Sequence, residues 1–541
     1  MGKYLITVLV MGLFTEQIFG QSKDCWVFVP SSVKEEIVED WAGERLVGHS
    51  VWFNAYAVLN CNDDLSGSSL PFMVDSLQCF SSTSYTSNSL TAHASFDSAS
   101  DSLETDSTSI ESGYAQINLL QGELFAKQGW TGEGVTIGVL DAGFLGLKED
   151  STLQHLFKKN RIKGTWDFVR RNSDVYRASK HGTQVMSCLA GLDHYNQFGL
   201  ATDATYLLAR AEQNYSAYLI REARWIEALE WCVSNGAQIV TSSLIFSDQL
   251  FKRMEMNGQS LLSRAAERAW TKGVLVLNSA GNSGDGYWEI IGAPSDAEHV
   301  LTVGACNYEG LKSDFSSIGP TADYRMKPNV VALGDVFVSA GNVVEMVSGT
   351  SFACPMVAGF AACVLQGHPE KKPSDLWLEI QQSATLYPYY DYAHGYGIPQ
   401  ASYFIPSLQQ DKVASEDSIK VEIKFHRLSE NLLEIEVIDQ DFQAMLLDSV
   451  DVIKEKVDSL LSVTLPPIED SLATSEFIEE EDLNWNPYLL YVHVENEKGQ
   501  LEEYWVVRLD GSSGGMYDVF AYPGHFMRVY YRSRIVTYLI E

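Results

Sequence analysis

Positive charge is scarce in this sequence. Against 71 Asp and Glu stand 38 Lys and Arg, a formal charge of −33 over 541 residues. A chain this acidic repels phosphate backbones and anionic bilayers, which argues against nucleic acid and membrane surfaces as partners. Cysteine pairs at redox or metal spacing are missing. None of the eight (Cys25, Cys61, Cys79, Cys188, Cys232, Cys306, Cys354, Cys363) falls in CxxC or zinc-ligand spacing. A disulfide among Cys25, Cys61 and Cys79 stays open, whereas Cys188, Cys232, Cys354 and Cys363 sit in apolar helical contexts suited to small buried hydrophobes. Calcium-loop spacing is missing as well: the acidic run IEEEDLNWN reads as a solvated loop, and structural calcium has no motif behind it. Finally, long apolar runs are missing. The run Tyr4–Phe14, about half the ~20 residues a bilayer span needs, follows Lys3 and leads to a plausible cut before Gln21. Residues 1–20 are therefore read as an export signal. No later segment is read as long and apolar enough to span, and the mature chain is expected to be exported and soluble.

What is present is enough apolar content for a packed core, 45% of residues, in a chain long enough for two or three domains. Residues 21–80 carry a short strand (CWVFV), a charged helical stretch and a second apolar strand, the pattern of a small α+β module. From Ser81 to Gly113 the chain is Ser, Thr and Asp with few apolar residues; it cannot bury enough surface to order itself and reads as a linker open to proteolysis. From 114 to 405, short continuous apolar strands alternate with helices: GVTIGVL ending at Asp141, a helix from His181, a strand at 205–209, a helix over 219–233, strands at 237–242, 274–278, 300–303 and 330–333, and a last large helix opened by Ser351. This alternation predicts a doubly wound, mostly parallel α/β sheet with helices on both faces. Sites in such sheets lie beyond the carboxyl ends of the strands. Residues 406–541 lose the helices; IKVEIKF, LLEIEVI, YLLYVHV and EYWVVRL alternate and predict an antiparallel, sandwich-like β domain.

The stretch SGTSFACPMVAG organises the α/β region. Ser348, Gly349 and Thr350 form a turn, and Ser351 stands at the start of a buried helix, beside unpaired N–H groups and the positive dipole end. Three further pieces fall at element ends: Asp141 in VLDAGF, His181 in HGTQVMSCLAG and Asn282 in SAGNSG. A serine nucleophile needs a neutral imidazole to take its proton, the imidazole needs a carboxylate to hold its tautomer, and the tetrahedral intermediate needs donors aimed at its developing charge. One of each is available. Standing alone, Ser351 would read as a helix cap, His181 as a structural histidine and Asn282 as a turn residue; together, and in this order, they read as one site.

The order Asp, His, Ser with the motifs DAG, HGT, AGN and GTSxxxP resembles the subtilisin-like serine peptidases, and TGEGVTIGVLDAGF and GYGIPQA are similar to the secreted bacterial branch. The resemblance covers roughly residues 114–405. It implies a serine endopeptidase with Asp141, His181 and Ser351 as the triad and Asn282 with the Ser351 N–H as the oxyanion hole, needing no cofactor for its chemistry. It places Ser243, Leu244 and Ile245 on the strand that pairs with extended substrate, with Ile245 where the family usually has Gly. Ser279, Ala280 and Gly281 match the opposite wall of the specificity pocket. Residues 21–80 take the position of a pro-region, an intramolecular inhibitor and folding aid, and a protein or peptide is the expected substrate of a monomer. Glu212 and Glu222 are read as surface charge rather than cleft residues. Two other readings are weighed. A catalytically dead binding protein would be free to lose any member of the constellation. A sedolisin-like acid peptidase would not need His181.

Overall fold

The computed structural model describes residues 23–59, 76–81, 116–193, 196–213, 216, 218–405, 421–428, 432–439, 489–509, 515–518, 522, 524–532 and 534–540. Residues 1–20, read as an export signal, most of residues 81–113, read as a linker, and the acidic run IEEEDLNWN lie outside them. The chain divides into two compact units, residues 1–98 with Ser216–Ala223, and residues 99–215 with 224–541.

In the first unit, four strands form an antiparallel sheet in the order Leu46–Ser50, Ala55–Val58, Lys23–Phe28, Ser76–Ser81. The helix Glu35–Ala42 lays Val38 and Ala42 on the sheet residues Cys25, Val27, Tyr56 and Val58. Cys25 is disulfide-bonded. Glu222 also belongs to this unit, and the surface reading of it is corrected: it is 1% exposed, and its Oε2 accepts from Trp26 Nε1 at 2.8 Å. Its Oε1 is buried without a hydrogen-bond partner, and burial raises the carboxyl to about 7 despite the indole donor.

The second unit is built on a seven-stranded parallel sheet. Across it the order is Val330–Leu333, Leu301–Cys306, Leu275–Ser279, Ile239–Ser242, Thr136–Asp141, Thr205–Arg210, Ile162–Asp167. Every strand from 205 to 333 is buried almost throughout, as a two-faced sheet requires. One face carries Ile137 and Val139 against the helices His181–Ala190 and Thr350–Gly367. On the other, a Cβ added to Gly138 would sit 2.8 Å from Cys232 Sγ, so the helix ending at Ser234 packs directly on the central strand. The chain leaves Thr136–Asp141 toward one edge and returns to its other side at Ile239, so Asp141 ends the strand at the switch point. The doubly wound fold expected from the alternation is therefore present. The sequence reading missed the edge strand Ile162–Asp167, the helix Pro373–Gln382, and a hairpin, Asp335–Ala340 with Val343–Ser348.

The helix Thr350–Gly367 corrects another expectation. Its 18 residues are long and apolar enough to cross a membrane, yet 83% of it is buried here as the central core helix. The cysteines Cys188, Cys232, Cys306, Cys354 and Cys363 are free and buried.

C-terminal to this, two antiparallel sheets form, Val421–Arg427 with Leu432–Asp439 and Gly515–Asp518, and Leu501–Arg508 with Leu489–Glu495, Phe526–Tyr531 and Arg534–Leu539. Leu433, Ile435 and Val437 of one share a core with Leu490, Val492, Met527 and Val529 of the other, a sandwich. Tyr389, Tyr491 and Tyr530 join it to the α/β layer, where Tyr530 Oη donates to Thr385 O at 2.7 Å.

Candidate active site

Asp141 is the fully buried last residue of the central strand, and His181 is the first residue of its helix. What brings them together is close approach of two backbones at glycines. Gly182 N donates to Gly143 O at 3.0 Å, and a Cβ on Gly182 would fall 2.4 Å from that same oxygen. The Gly of DAG and the Gly of HGT therefore touch, which accounts for Gly182; Gly143 is needed for a different contact, since its Cβ would run into the backbone of Arg177 and Ser179. Asp141 Oδ2 and Oδ1 lie 2.9 and 3.0 Å from His181 Nδ1, and Oδ1 also accepts from Ala142 N at 2.7 Å. A carboxylate accepts only, so Nδ1 is the donor and Nε2 of the neutral ring is left as the acceptor. Burial by itself would lower the His181 pKa; the charge of Asp141, its hydrogen bond and the charge of Glu212 outweigh burial and raise it above 6.5. The ring lies 5.6 Å from that of Phe352, the residue after Ser351.

Ser351 is the second residue of its helix, so its N–H is among the first-turn donors that have no intrahelical acceptor. Its carbonyl has lost its usual partner, because the residue four further on is Pro355, which carries no N–H. Ser243 Oγ supplies the missing donor at 2.9 Å. The Pro of GTSxxxP and the Ser that follows the strand Ile239–Ser242 are thus two halves of one contact.

Asn282 is oriented by Thr350. Its Oδ1 accepts from Thr350 N at 2.9 Å and from Thr350 Oγ1 at 2.8 Å. Because a backbone N–H can only donate, the amide is fixed with Nδ2 at the other end. Nδ2 lies over the helix start, 3.2 Å from where a Cβ on Gly349 would stand, and has no acceptor among the described residues. An exposed donor with its orientation fixed and nothing to donate to is what a developing oxyanion requires.

The remaining candidate residues are arranged as follows. Leu244 is buried, its N–H bonded to Ser242 Oγ at 3.2 Å, and Ile245 is half-buried. Ser279 and Ala280 are buried, and the Ser279 carbonyl accepts from Ser295 Oγ at 2.6 Å. Gly281 N donates to Thr350 Oγ1 at 3.2 Å. Sequence reasoning missed Thr350 and Pro355 as working parts, although both stand inside the quoted motif, and missed Glu212, which carries no local signal. Among the described residues no group of three or more His, Cys, Asp and Glu could hold a metal ion.

Residues 132–397 match the model of the subtilase family, described as Peptidase S8. The chain is 29% identical over 278 residues to the serine protease AprX of Bacillus subtilis (strain 168), covering 46% of this chain and 60% of that protein. It is 27% identical over 276 residues to subtilisin DY of Bacillus licheniformis, covering 50% of this chain and 90% of that one. The solved structure of a cold-adapted subtilisin-like serine proteinase aligns with a TM-score of 0.39 and 24% identity, over 49% of this chain and 86% of that chain.

Proposed function

Residues 132–397 are a subtilase-family domain, and from that premise we propose that this chain is a secreted serine endopeptidase acting through an acyl-enzyme. Ser351 Oγ attacks the peptide carbonyl carbon while its proton passes to His181 Nε2. Asp141 holds the ring through Nδ1 and stabilises the imidazolium that forms. The carbonyl oxygen, now an oxyanion, takes hydrogen bonds from Asn282 Nδ2 and Ser351 N–H. The C–N bond breaks, the amine leaves with the proton from His181, and water repeats the sequence on the ester to release the acid and restore Ser351. No step calls for a cofactor.

The observation that carries this reading is the pairing of His181 Nδ1 with both oxygens of buried Asp141, at 3.0 and 2.9 Å. The same pairing disfavours acid-peptidase chemistry, which would place a carboxylate where the imidazole is. Ser243, Leu244, Ile245, Ser279, Ala280 and Gly281 are proposed to line the substrate's path. The test is reaction with a fluorophosphonate followed by mass spectrometry. A label on Ser351, absent after His181→Ala, is the expected result; a folded protein that stays unlabelled would favour the binding-protein reading.

Residues 1–20 are proposed to direct export, residues 21–80 to serve as folding aid and inhibitor, and the linker 81–113 to be cut on maturation. N-terminal sequencing of the secreted active protein should begin within or after the linker; a start at Gln21 would contradict the maturation scheme.

A further inference from the structure

The ladder between two adjacent parallel strands ends at Ser242 opposite Asn278. One continues as Ser243–Ile245 and the other as Ala280–Asn282. Both remain fastened to the helix start, through Ser243 Oγ on the Ser351 carbonyl and through Gly281 N on Thr350 Oγ1. Both segments therefore lie at the carboxyl ends of the strands beside Ser351, where the crevice of a doubly wound sheet is found. Asn282 Nδ2 fixes where the oxygen of an attacked carbonyl would lie, so the side chain of the residue that owns this carbonyl falls beside Gly281. The leaving amine falls instead on the side of His181, which must protonate it.

The walls of this crevice include two residues without side chains, Gly281 and Gly292, which would leave room for a substrate side chain. Ile245 takes that room. Its Cγ2 lies 2.6 Å from where a Cβ on Gly292 would be, and 3.8 Å from one on Gly281. On the other side of Gly281, Ser317 Oγ lies 2.9 Å from the same added Cβ. Ile245 is not free to withdraw. The next residue is held in both directions, Phe246 N to Ala293 O at 2.9 Å and Ala293 N to Phe246 O at 2.8 Å, and the preceding Leu244 is buried. A β-branched side chain is also stiff at χ1.

We infer that Ile245 determines specificity by closing the crevice beside Ser351 to all but small, uncharged side chains on the acyl side of the scissile bond. The inference rests on the reading of Ser351 as nucleophile. The groups bounding the space are the Ile245 methyl branch, two glycine backbones, the Ser317 hydroxyl and the Phe246 carbonyl, whose oxygen also lies 2.6 Å from a Cβ on Gly292; none carries a charge, so no ion pair compensates a buried charge there, and backbone held in place does not yield to an aromatic ring.

The test uses the full chain after secretion and maturation, and peptides differing only in the residue before the scissile bond: Ala, Leu, Phe and Lys. Wild type should cleave after Ala in preference to Phe. Ile245→Gly should raise kcat/KM for Phe relative to Ala by about 10–200-fold, the discrimination expected of a change in apolar pocket volume. Ile245→Ala should fall between them, and supplies the answer should the glycine loosen the loop. A Phe-to-Ala ratio unchanged in both variants, with Ser351 still titrated by fluorophosphonate, overturns the inference while leaving the nucleophile in place. Failure of wild type itself to react at Ser351 overturns both.

Discussion

Replacing Glu222 by Gln should remove most of the pH dependence of the N-terminal unit's stability between pH 4.5 and 7. The side chain is sealed from water, with one oxygen on Trp26 Nε1 and the other on nothing. Burial is the dominant influence on its carboxyl, and the indole only partly offsets it. The proton is therefore bound more tightly in the folded unit, at about 7, than in the unfolded chain near the ordinary 4.5. Stability is full below pH 4.5, falls as the pH rises to about 7, and is flat above. Each tenfold difference in proton affinity is worth about 1.4 kcal/mol, so the loss across this window is about 3 kcal/mol. Glutamine keeps an acceptor for Trp26 but buries an amide N–H₂ without a partner, so absolute stabilities of the two proteins will differ, and the pH slopes carry the comparison. The assay is amide hydrogen exchange of the strand Lys23–Phe28 in a Ser351→Ala precursor, which cannot cut itself, with and without Glu222→Gln. Protection in the parent should fall across the window and that in the variant should not. Equal slopes would mean that Glu222 is hydrated in solution, and that the unpartnered oxygen has found water.

The site was more legible in the sequence than the scaffold around it, for a physical reason. Asp141, His181, Asn282 and Ser351 each stand within two residues of a glycine, Gly143, Gly182, Gly281 and Gly349, so each announces itself locally. Gly143 is forced by the backbone of Arg177 and Ser179, Gly182 by the carbonyl of Gly143, and Gly281 has φ of +115°, while a Cβ on Gly349 would press on Asn282 Nδ2 at 3.2 Å. The hairpin 335–348 has a weaker signal: Val336 and Val338 alternate inward on the first strand, the second strand, VVEMVS, does not alternate, and the two turn residues Gly341 and Asn342 have φ near +66°, the two-residue connection that suits a strand twist. Glu222 was misread because charge was weighed before periodicity. It stands three residues after Leu219 and four before Ile226, both buried, on the helix face that packs inward. Glu212 is different. Its influence on His181 is electrostatic across a gap in sequence, and no spacing encodes it.

The site yields the remaining predictions. Since Glu212 helps keep the His181 pKa above 6.5, Glu212→Gln should move the acid limb of the kcat/KM profile to lower pH; a limb that stays put would show that screening cancels the interaction. Ser351→Ala should abolish turnover with the fold intact by circular dichroism, and residual activity equal to wild type would remove it as nucleophile. Asn282→Ala should lower kcat by about 10²–10³ with little change in KM, and Thr350→Val, which frees Oδ1 from one of its two donors, should lower kcat less. The last concerns Pro355 and Ser243. A proline inside a helix leaves the carbonyl four residues back without its donor, and here that carbonyl belongs to Ser351 and is served by Ser243 Oγ. In a Ser351→Ala background, where the carbonyl persists and autolysis does not, Ser243→Ala should destabilise by about 1–3 kcal/mol, the cost of an orphaned acceptor. In Pro355→Ala the new N–H can take the carbonyl back into the helix, so the same Ser243→Ala should cost much less. Urea unfolding of the four proteins closes the cycle, with a coupling of about 1 kcal/mol or more expected for groups that share one acceptor. Additive effects would mean that Ser243 is held to Ser351 for substrate alignment alone, with the orphaned carbonyl satisfied by solvent.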